Sequence, residues 1–141
     1  MKDNKELLKN VDCISLYVDD LDKGLEFYSA KLGLKLLWRI EGSCGLGMSD
    51  DITEVVLCTD KNPMVDFKVE SVEKAIEDFT AAGGEVEYGT FDINIGKCAV
   101  VKDPWGNSFC ILDMSKGTYD TDESGNVTGV SVKKINISAV T

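Results

Sequence analysis

Apolar residues along this chain switch between two periods. Residues 13–18 alternate, with Ile14, Leu16 and Val18 on one face, and residues 64–69 repeat the pattern with Val65, Phe67 and Val69. Such alternation predicts a strand with one side on a core. Directly after each run the period lengthens. Leu21, Leu25, Tyr28 and Leu32 fall on one helical face, as do Val72, Ala75, Ile76 and Phe79. Asp20 and Ser71 stand where a capping oxygen accepts from the free first-turn amides, and Gly33 and Gly83-Gly84 supply the left-handed stop. Three shorter extended segments follow in each half, near 35–41, 43–49 and 53–59, then near 84–90, 94–102 and 107–112. The last two are joined by Asp103-Pro-Trp-Gly-Asn107, with proline second and glycine fourth, as a type I turn prefers.

The halves are copies. A shift of 51 positions lays Cys13-Ile-Ser-Leu-Tyr-Val18 on Met64-Val-Asp-Phe-Lys-Val69 without a gap, then Tyr28 on Phe79 and Gly33 on Gly84. The expected fold class is therefore α+β, built from two βαβββ modules. We divide the chain into an N-terminal segment (1–10), a first module (11–60), a second module (61–114) and a tail (115–141). The tail carries a candidate hairpin around Asp122-Glu-Ser-Gly-Asn126, and the alternation of Val130–Ile137 would equally serve pairing with a neighbouring subunit. Joints rich in glycine and charge, Gly42–Asp51 and Asp60–Pro63, leave open whether the modules pair within one chain or across two.

Composition narrows the classes. With 141 residues, 43% hydrophobic and 28% charged, the chain has ordinary globular proportions. No apolar stretch approaches the roughly 20 residues that span a bilayer. The opening MKDNKELLKNVD lacks a signal-peptide core, so the expected location is cytoplasmic. A net charge of −10 repels phosphate backbones and argues against nucleic acid, while it suits a cationic small molecule. Five cysteines without a CxxC pair argue against a disulfide framework and leave buried thiols or metal ligands. Histidine is absent, which removes the commonest general base and the commonest metal ligand together.

Several local motifs now join the repeat. Tyr17-Val-Asp-Asp-Leu21, Phe27-Tyr28 and Leu32-Gly-Leu34 precede Ala81-Ala-Gly-Gly84 and the Asp103–Asn107 turn, in that order over residues 11–113. Together they resemble the vicinal oxygen chelate superfamily of glyoxalases, bleomycin-resistance proteins and extradiol dioxygenases. The resemblance implies a cup-shaped mixed sheet, with each module curled into a half-barrel around a shared cavity. It also implies four ligand positions in metal-dependent members, usually His or Glu, one on the first and one on the last strand of each module. Those positions fall on Cys13, Cys58, Met64 and Cys110, none of which is a usual ligand. Glyoxalase I and dioxygenase chemistry thereby lose their ligand set.

Two readings of these four positions compete. Free cysteine behaves as a small hydrophobe and Met fills irregular pockets, which suits a metal-free cavity lining. Three thiolates and a thioether would alternatively suit zinc or copper, or a thiol redox or covalent role. Alternation from Cys13 brings Ser15 and Tyr17 to the same side, Asp66 and Lys68 accompany Met64, Glu54 and Val56 accompany Cys58, and Ser108 and Leu112 accompany Cys110. Either carboxylate, Glu54 or Asp66, is a candidate base if burial raises its pKa. Glu54 reaches a ligand position only by a register shift, and a one-residue shift would turn its neighbours outward. Trp38 and Trp105 are candidate walls of a ligand pocket, and Cys44 and Cys98 are read as structural.

The expected function is small-molecule binding in the cavity of a glyoxalase/bleomycin-resistance-like protein, with no cofactor and as a homodimer. The alternative is a glyoxalase-type lyase or isomerase, using an atypical Cys/Met metal site or a metal-free carboxylate base. A third is a structural or regulatory domain whose cavity is filled by side chains.

Overall fold

The computed structural model describes residues 6–60 and 65–132. Met64 and most of the Val130–Ile137 run lie outside them. The first module comprises β1 (Asn10–Tyr17), α1 (Leu21–Leu25), β2 (Lys35–Ile40), β3 (Ser43–Gly47) and β4 (Glu54–Cys58). The second comprises β5 (Val65–Lys68), α2 (Val72–Ala81), β6 (Glu85–Ile93), β7 (Gly96–Lys102) and β8 (Ser108–Leu112). A two-stranded hairpin of β9 (Thr118–Thr121) and β10 (Val127–Ser131) follows.

Eight strands form one mixed sheet in the order β2-β3-β4-β1-β5-β8-β7-β6. Within each module the first strand lies parallel to the last, β1 to β4 and β5 to β8, and the others run antiparallel. The modules meet through the antiparallel pair β1–β5, so both halves of the sheet come from one chain.

Each helix covers one half of the sheet. Leu21, Cys44, Leu46, Val55 and Leu57 form the buried core of the first module. Val69, Val72, Ala75, Ala99, Val101 and Ile111 form that of the second. Strand alternation turns Cys13, Ser15, Cys98 and Leu112 away from these cores, toward the opposite, concave face. Cys44 is fully buried on the helix side and packs as a small apolar residue.

Both N-caps form: Asp20 accepts from the Lys23 amide at 3.0 Å and Ser71 from the Lys74 amide at 3.3 Å. The first helix departs from its expected face. After Leu25 it continues as a π-helical segment, Glu26–Lys31, in which the Leu32 amide reaches back to the Phe27 carbonyl at 3.0 Å. The wider turn takes Leu32 off the apolar stripe and leaves it 58% exposed.

One turn design is used twice. In Asp103–Asn107 and again in Asp122–Asn126, the aspartate Oδ1 accepts from two backbone amides at 2.9 Å. Gly106 (φ 92°) and Gly125 (φ 86°) take the left-handed conformation that lets the following strand leave in register.

Asp113 ties the second module together. Its carboxylate, 4% exposed, accepts from the amides of Val72 and Lys97 at 3.0 Å and Ser115 at 3.1 Å. The start of α2, the start of β7 and the turn after β8 are thus held by one side chain. Burial alone would raise this carboxyl, but the hydrogen bonds from Ser115, Val72 and Lys97 outweigh it and hold the pKa below the usual range. Asp113→Ala leaves buried amides without an acceptor and is expected to cost about 3 kcal/mol in urea denaturation at pH 7. A lowered native pKa contributes stability above the unfolded value and loses it as pH falls, so the difference from the parent should shrink below about pH 4.

Candidate functional site

The concave face of the sheet encloses a cavity of about 660 Å³. Its floor is the seam where β1 lies between β4 and β5. Opposite Cys13 stand Glu54 on β4 and Asp66 on β5. The β1–β5 register slips between Val11 and Cys13, so Asp12 is the extra residue of a β-bulge. Strict alternation would send Asp12 to the helix side. The bulge lets Asp12 and its neighbour Cys13 both line the cavity.

Three carboxylates therefore share one half-buried floor. Glu54 accepts from Trp38 Nε1 at 2.7 Å. Asp66 accepts from the Cys13 thiol at 3.4 Å and is also hydrogen-bonded by Cys110. Asp12 accepts no hydrogen bond from the described residues. Burial raises the Glu54 and Asp66 carboxyls, opposed by the bonds from Trp38 and from the two thiols. Asp12 has only a partial offset, from Lys68. Burial first, and then the charges of Glu54 and Asp66, push it up to about 6.

The thiols act as donors here. Burial and the adjacent Asp66 and Asp12 charges push the Cys13 pKa well up, so it stays a neutral S–H. Cys110 is likewise raised, first by its hydrogen bond with Cys98, then by burial and Asp66. A line of contacts thus runs Cys98, Cys110, Asp66, Cys13 across four strands, β7, β8, β5 and β1, and so across the module joint.

The walls are less polar. Trp38 lies flat over Gly45, where an added Cβ would stand 2.0 Å from the indole nitrogen. Tyr119 of β9 packs on Trp38 with ring centroids 5.1 Å apart. Leu37, Ile93, Ile95, Leu112 and Met114 complete the apolar surround. The hairpin spans the open side of the sheet. It reaches β2 through the Arg39 amide bonded to the Gly125 carbonyl at 2.9 Å. It reaches the β6–β7 turn through Asn94 on the Tyr119 hydroxyl at 3.3 Å.

Of the residues singled out in the sequence, the structure brings Cys13, Ser15, Trp38, Glu54, Cys58 and Asp66 to the cavity. Four others stand elsewhere. Tyr17 ends β1 and is 51% exposed. Lys68 lies at the far end of β5 opposite Asn10, near enough to Asp12 to act on its charge but outside the lining. Trp105 occupies the exposed turn between β7 and β8, at 84% exposure and outside the cavity lining. Cys110 sits behind Asp66 rather than on the surface of the cavity.

The convergence of Cys13, Cys58 and Cys110 that the alternative thiolate site needs does not form. Cys58 pairs with Tyr17, four residues beyond the level of Cys13 and Glu54, roughly 13 Å along the strand. A displacement of two or four residues keeps the same face, so Glu54 reaches the level of Cys13 without turning its neighbours outward. Among the described residues, no three Cys, Asp or Glu side chains are gathered to hold one metal ion. Glu54 is already engaged by the Trp38 indole N–H.

Comparison with known proteins follows this geometry. The model of the Glyoxalase/Bleomycin resistance protein/Dioxygenase superfamily matches residues 10–111. A solved methylmalonyl-CoA epimerase from Mycobacterium tuberculosis superposes with a TM-score of 0.66 at 16% identity, covering 81% of this chain and 93% of that one. A structure described as an NAD-dependent benzaldehyde dehydrogenase from Legionella pneumophila gives 0.60 at 17% identity, covering 73% and 98%. The H200Q variant of homoprotocatechuate 2,3-dioxygenase from B. fuscum gives 0.52 at 23% identity, covering 76% of this chain and 33% of that one. No curated protein matches the chain.

A carboxyl whose native pKa is raised destabilises the fold as it ionises, so stability should fall as pH rises from about 4 to 6. Asp12→Asn removes that penalty. Scanning calorimetry at pH 7.5 is expected to show the variant melting higher, by about 2–4 °C for each 1 kcal/mol relieved, with the difference vanishing near pH 4. Equal melting at both pH values would show that Asp12 is not the strained carboxylate.

Proposed function

The chain belongs to the Glyoxalase/Bleomycin resistance protein/Dioxygenase superfamily, and we propose that it binds a small organic molecule in its cup without the usual His/Glu metal site. The observation that carries this reading is the pairing of a roomy, largely apolar cavity with a floor whose would-be ligands are committed to one another. Cys13 is a neutral donor to Asp66, and Glu54 is held by Trp38. A coordinated metal would need both released and the thiol deprotonated.

A second reading is supported by one specific feature. A carboxyl near pKa 6 in an apolar cup, as Asp12 is, has the property wanted of a general base or acid at neutral pH. An isomerase or lyase acting by metal-free proton transfer would use Asp12 beside the earlier candidates Glu54 and Asp66.

The acidic surface supports a protein that keeps away from nucleic acid and membrane surfaces. Among the described residues no helix is long and apolar enough to cross a bilayer. A cytoplasmic location belongs to the same proposal. So does a homodimer, supported by the outer strand β6, nine residues long, with Tyr88 and Phe91 exposed along an unpaired sheet edge.

Elemental mass spectrometry of untagged protein, purified under reducing conditions, is expected to find far less than one metal per chain. Near-stoichiometric zinc or copper that disappears in a Cys58→Ala, Cys110→Ala double variant would overturn the metal-free reading. Light scattering of the same sample should give twice the chain mass, and Tyr88→Glu should return it to a monomer. A parent that is already monomeric would remove the dimer.

A further inference from the structure

The eight-stranded sheet ends in β2 on one side and β6 on the other. β2 meets the hairpin, through the bond from the Arg39 amide to the Gly125 carbonyl. β6 has no strand beyond it among the described residues, and its free side runs for nine residues, Glu85–Ile93. Tyr88 and Phe91 stand 66% and 43% exposed along it. They lie three positions apart, yet pair with Val100 and Cys98 of β7, because the ladder slips between them. Cys98 and Val100 share one face of β7, so the slip brings both aromatic rings to one face of the sheet. Such an edge is a place where a further strand can add.

The residues after Val132 have the pattern of that strand. Lys133-Lys-Ile-Asn-Ile-Ser-Ala-Val-Thr141 is as long as β6, and Ile135, Ile137 and Ala139 alternate with Asn136 and Ser138. It carries two lysines and no acid, whereas β6 carries Glu85, Glu87 and Asp92 and no base. Lys102 and Lys116 already reach Glu87 and Asp92, so the attraction is modest. A second β6 laid on the first would set acid against acid instead.

The chain also departs from the right place. The hairpin turn rests on β2, and β10 runs from there back toward Gly117. The neighbouring Lys116 ammonium bonds to Asp92 at 3.0 Å and to the Ile93 carbonyl at 3.2 Å, at the end of β6. Val132, exposed, lies against Gly117. β10 thus crosses from one outer strand toward the other, and its heading leads past the end of β6 and away from the molecule.

Resting on the homodimer reading, we propose that residues 133–141 of each chain pair with the free side of β6 in the other copy. Ile135 and Ile137 lie on Tyr88 and Phe91, and the two lysines lie among the acids. The exchange makes two identical contacts about the dimer axis, each adding a strand to the partner's sheet. Nine extended residues reach about 30 Å, enough to follow β6 along its length. The outward heading favours the neighbour's edge, because the chain's own edge is reached only by turning back along β6.

Two full-length variants test the exchange by complementation. Ile135→Asp with Ile137→Asp spoils the segment and leaves the edge, whereas Tyr88→Glu spoils the edge and leaves the segment. Light scattering is expected to show a dimeric parent, and in each variant a dissociation constant raised at least about tenfold. Mixed in equal amounts, the two variants should associate again, because the intact segment of one meets the intact edge of the other. Lys133→Glu with Lys134→Glu should weaken the dimer about threefold at low salt and less at about 0.5 M. Far-UV circular dichroism reports whether each variant keeps its fold. Should the aspartates unfold the chain, the lysine variant decides, by whether its dimer weakens. A monomeric parent removes the dimer reading and the exchange with it. A dimer that survives in the segment variant keeps the dimer reading and overturns the exchange. A mixture that stays monomeric also overturns it, placing the segment on its own chain or β6 against β6.

Discussion

Because β1 is parallel to β4 and antiparallel to β5, it is hydrogen-bonded on both edges and belongs to both halves of the sheet at once. All the chemistry of the cup hangs from that strand. The parallel side sets Glu54 level with Cys13, and the antiparallel side sets Asp66 there. The slip of one residue on the antiparallel side is a small geometric event with a large chemical result. A regular ladder would offer the cavity a cysteine flanked by two partners. The bulged one offers a cysteine and an aspartate from consecutive positions, and with them a third negative charge.

A fold does not crowd carboxylates in a half-buried space without some way of bearing them. Here two different donors do the work, an indole N–H on one side and thiols on the other. The thiols are well matched to the role. They are small, tolerate burial, and are kept protonated by the very charges they soften. Cysteine at these places thus has a use that neither an inert lining nor a metal-binding set describes. The remaining aspartate carries the electrostatic strain that the others have shed.

Much of the architecture was legible in the order of residues. The duplicated strand and helix, both N-caps and the Asp103–Asn107 turn all follow from periodicity and from side chains that satisfy backbone groups locally. The six shorter strands also fall close to where the extended segments suggested. What escaped is set by relations between distant strands. Asp12 could not be placed in the cup, because alternation within β1 puts it with Val11's neighbours on the far side, and only the partner strand reveals the slip. The level of Cys58 relative to Cys13 depends on how β4 is set against β1, which no count along one strand discloses. Trp105 looked like pocket furniture because it is large and aromatic, yet it sits exposed in the tight turn joining β7 and β8. Tyr119 lay in a tail with no match in the repeat, and its part in the wall emerges only when the hairpin is seen bridging β2 and the β6–β7 turn.

That hairpin begins after the region that the chain shares with its superfamily ends, at residue 111. The duplicated barrel supplies a floor and the ancestral symmetry. The strands after it supply one side of the chamber and, among the described residues, its one tyrosine. The cavity is therefore walled by two pieces of sequence, one inside and one outside the matched region. One is bound by the demands of a shared sheet, in which every strand has neighbours to satisfy. The other is a short self-contained ribbon, joined to the barrel by a few bonds and free to change its surface. A lineage could alter what fits in the cup by rewriting the ribbon alone, and an engineer could graft a new one for the same purpose.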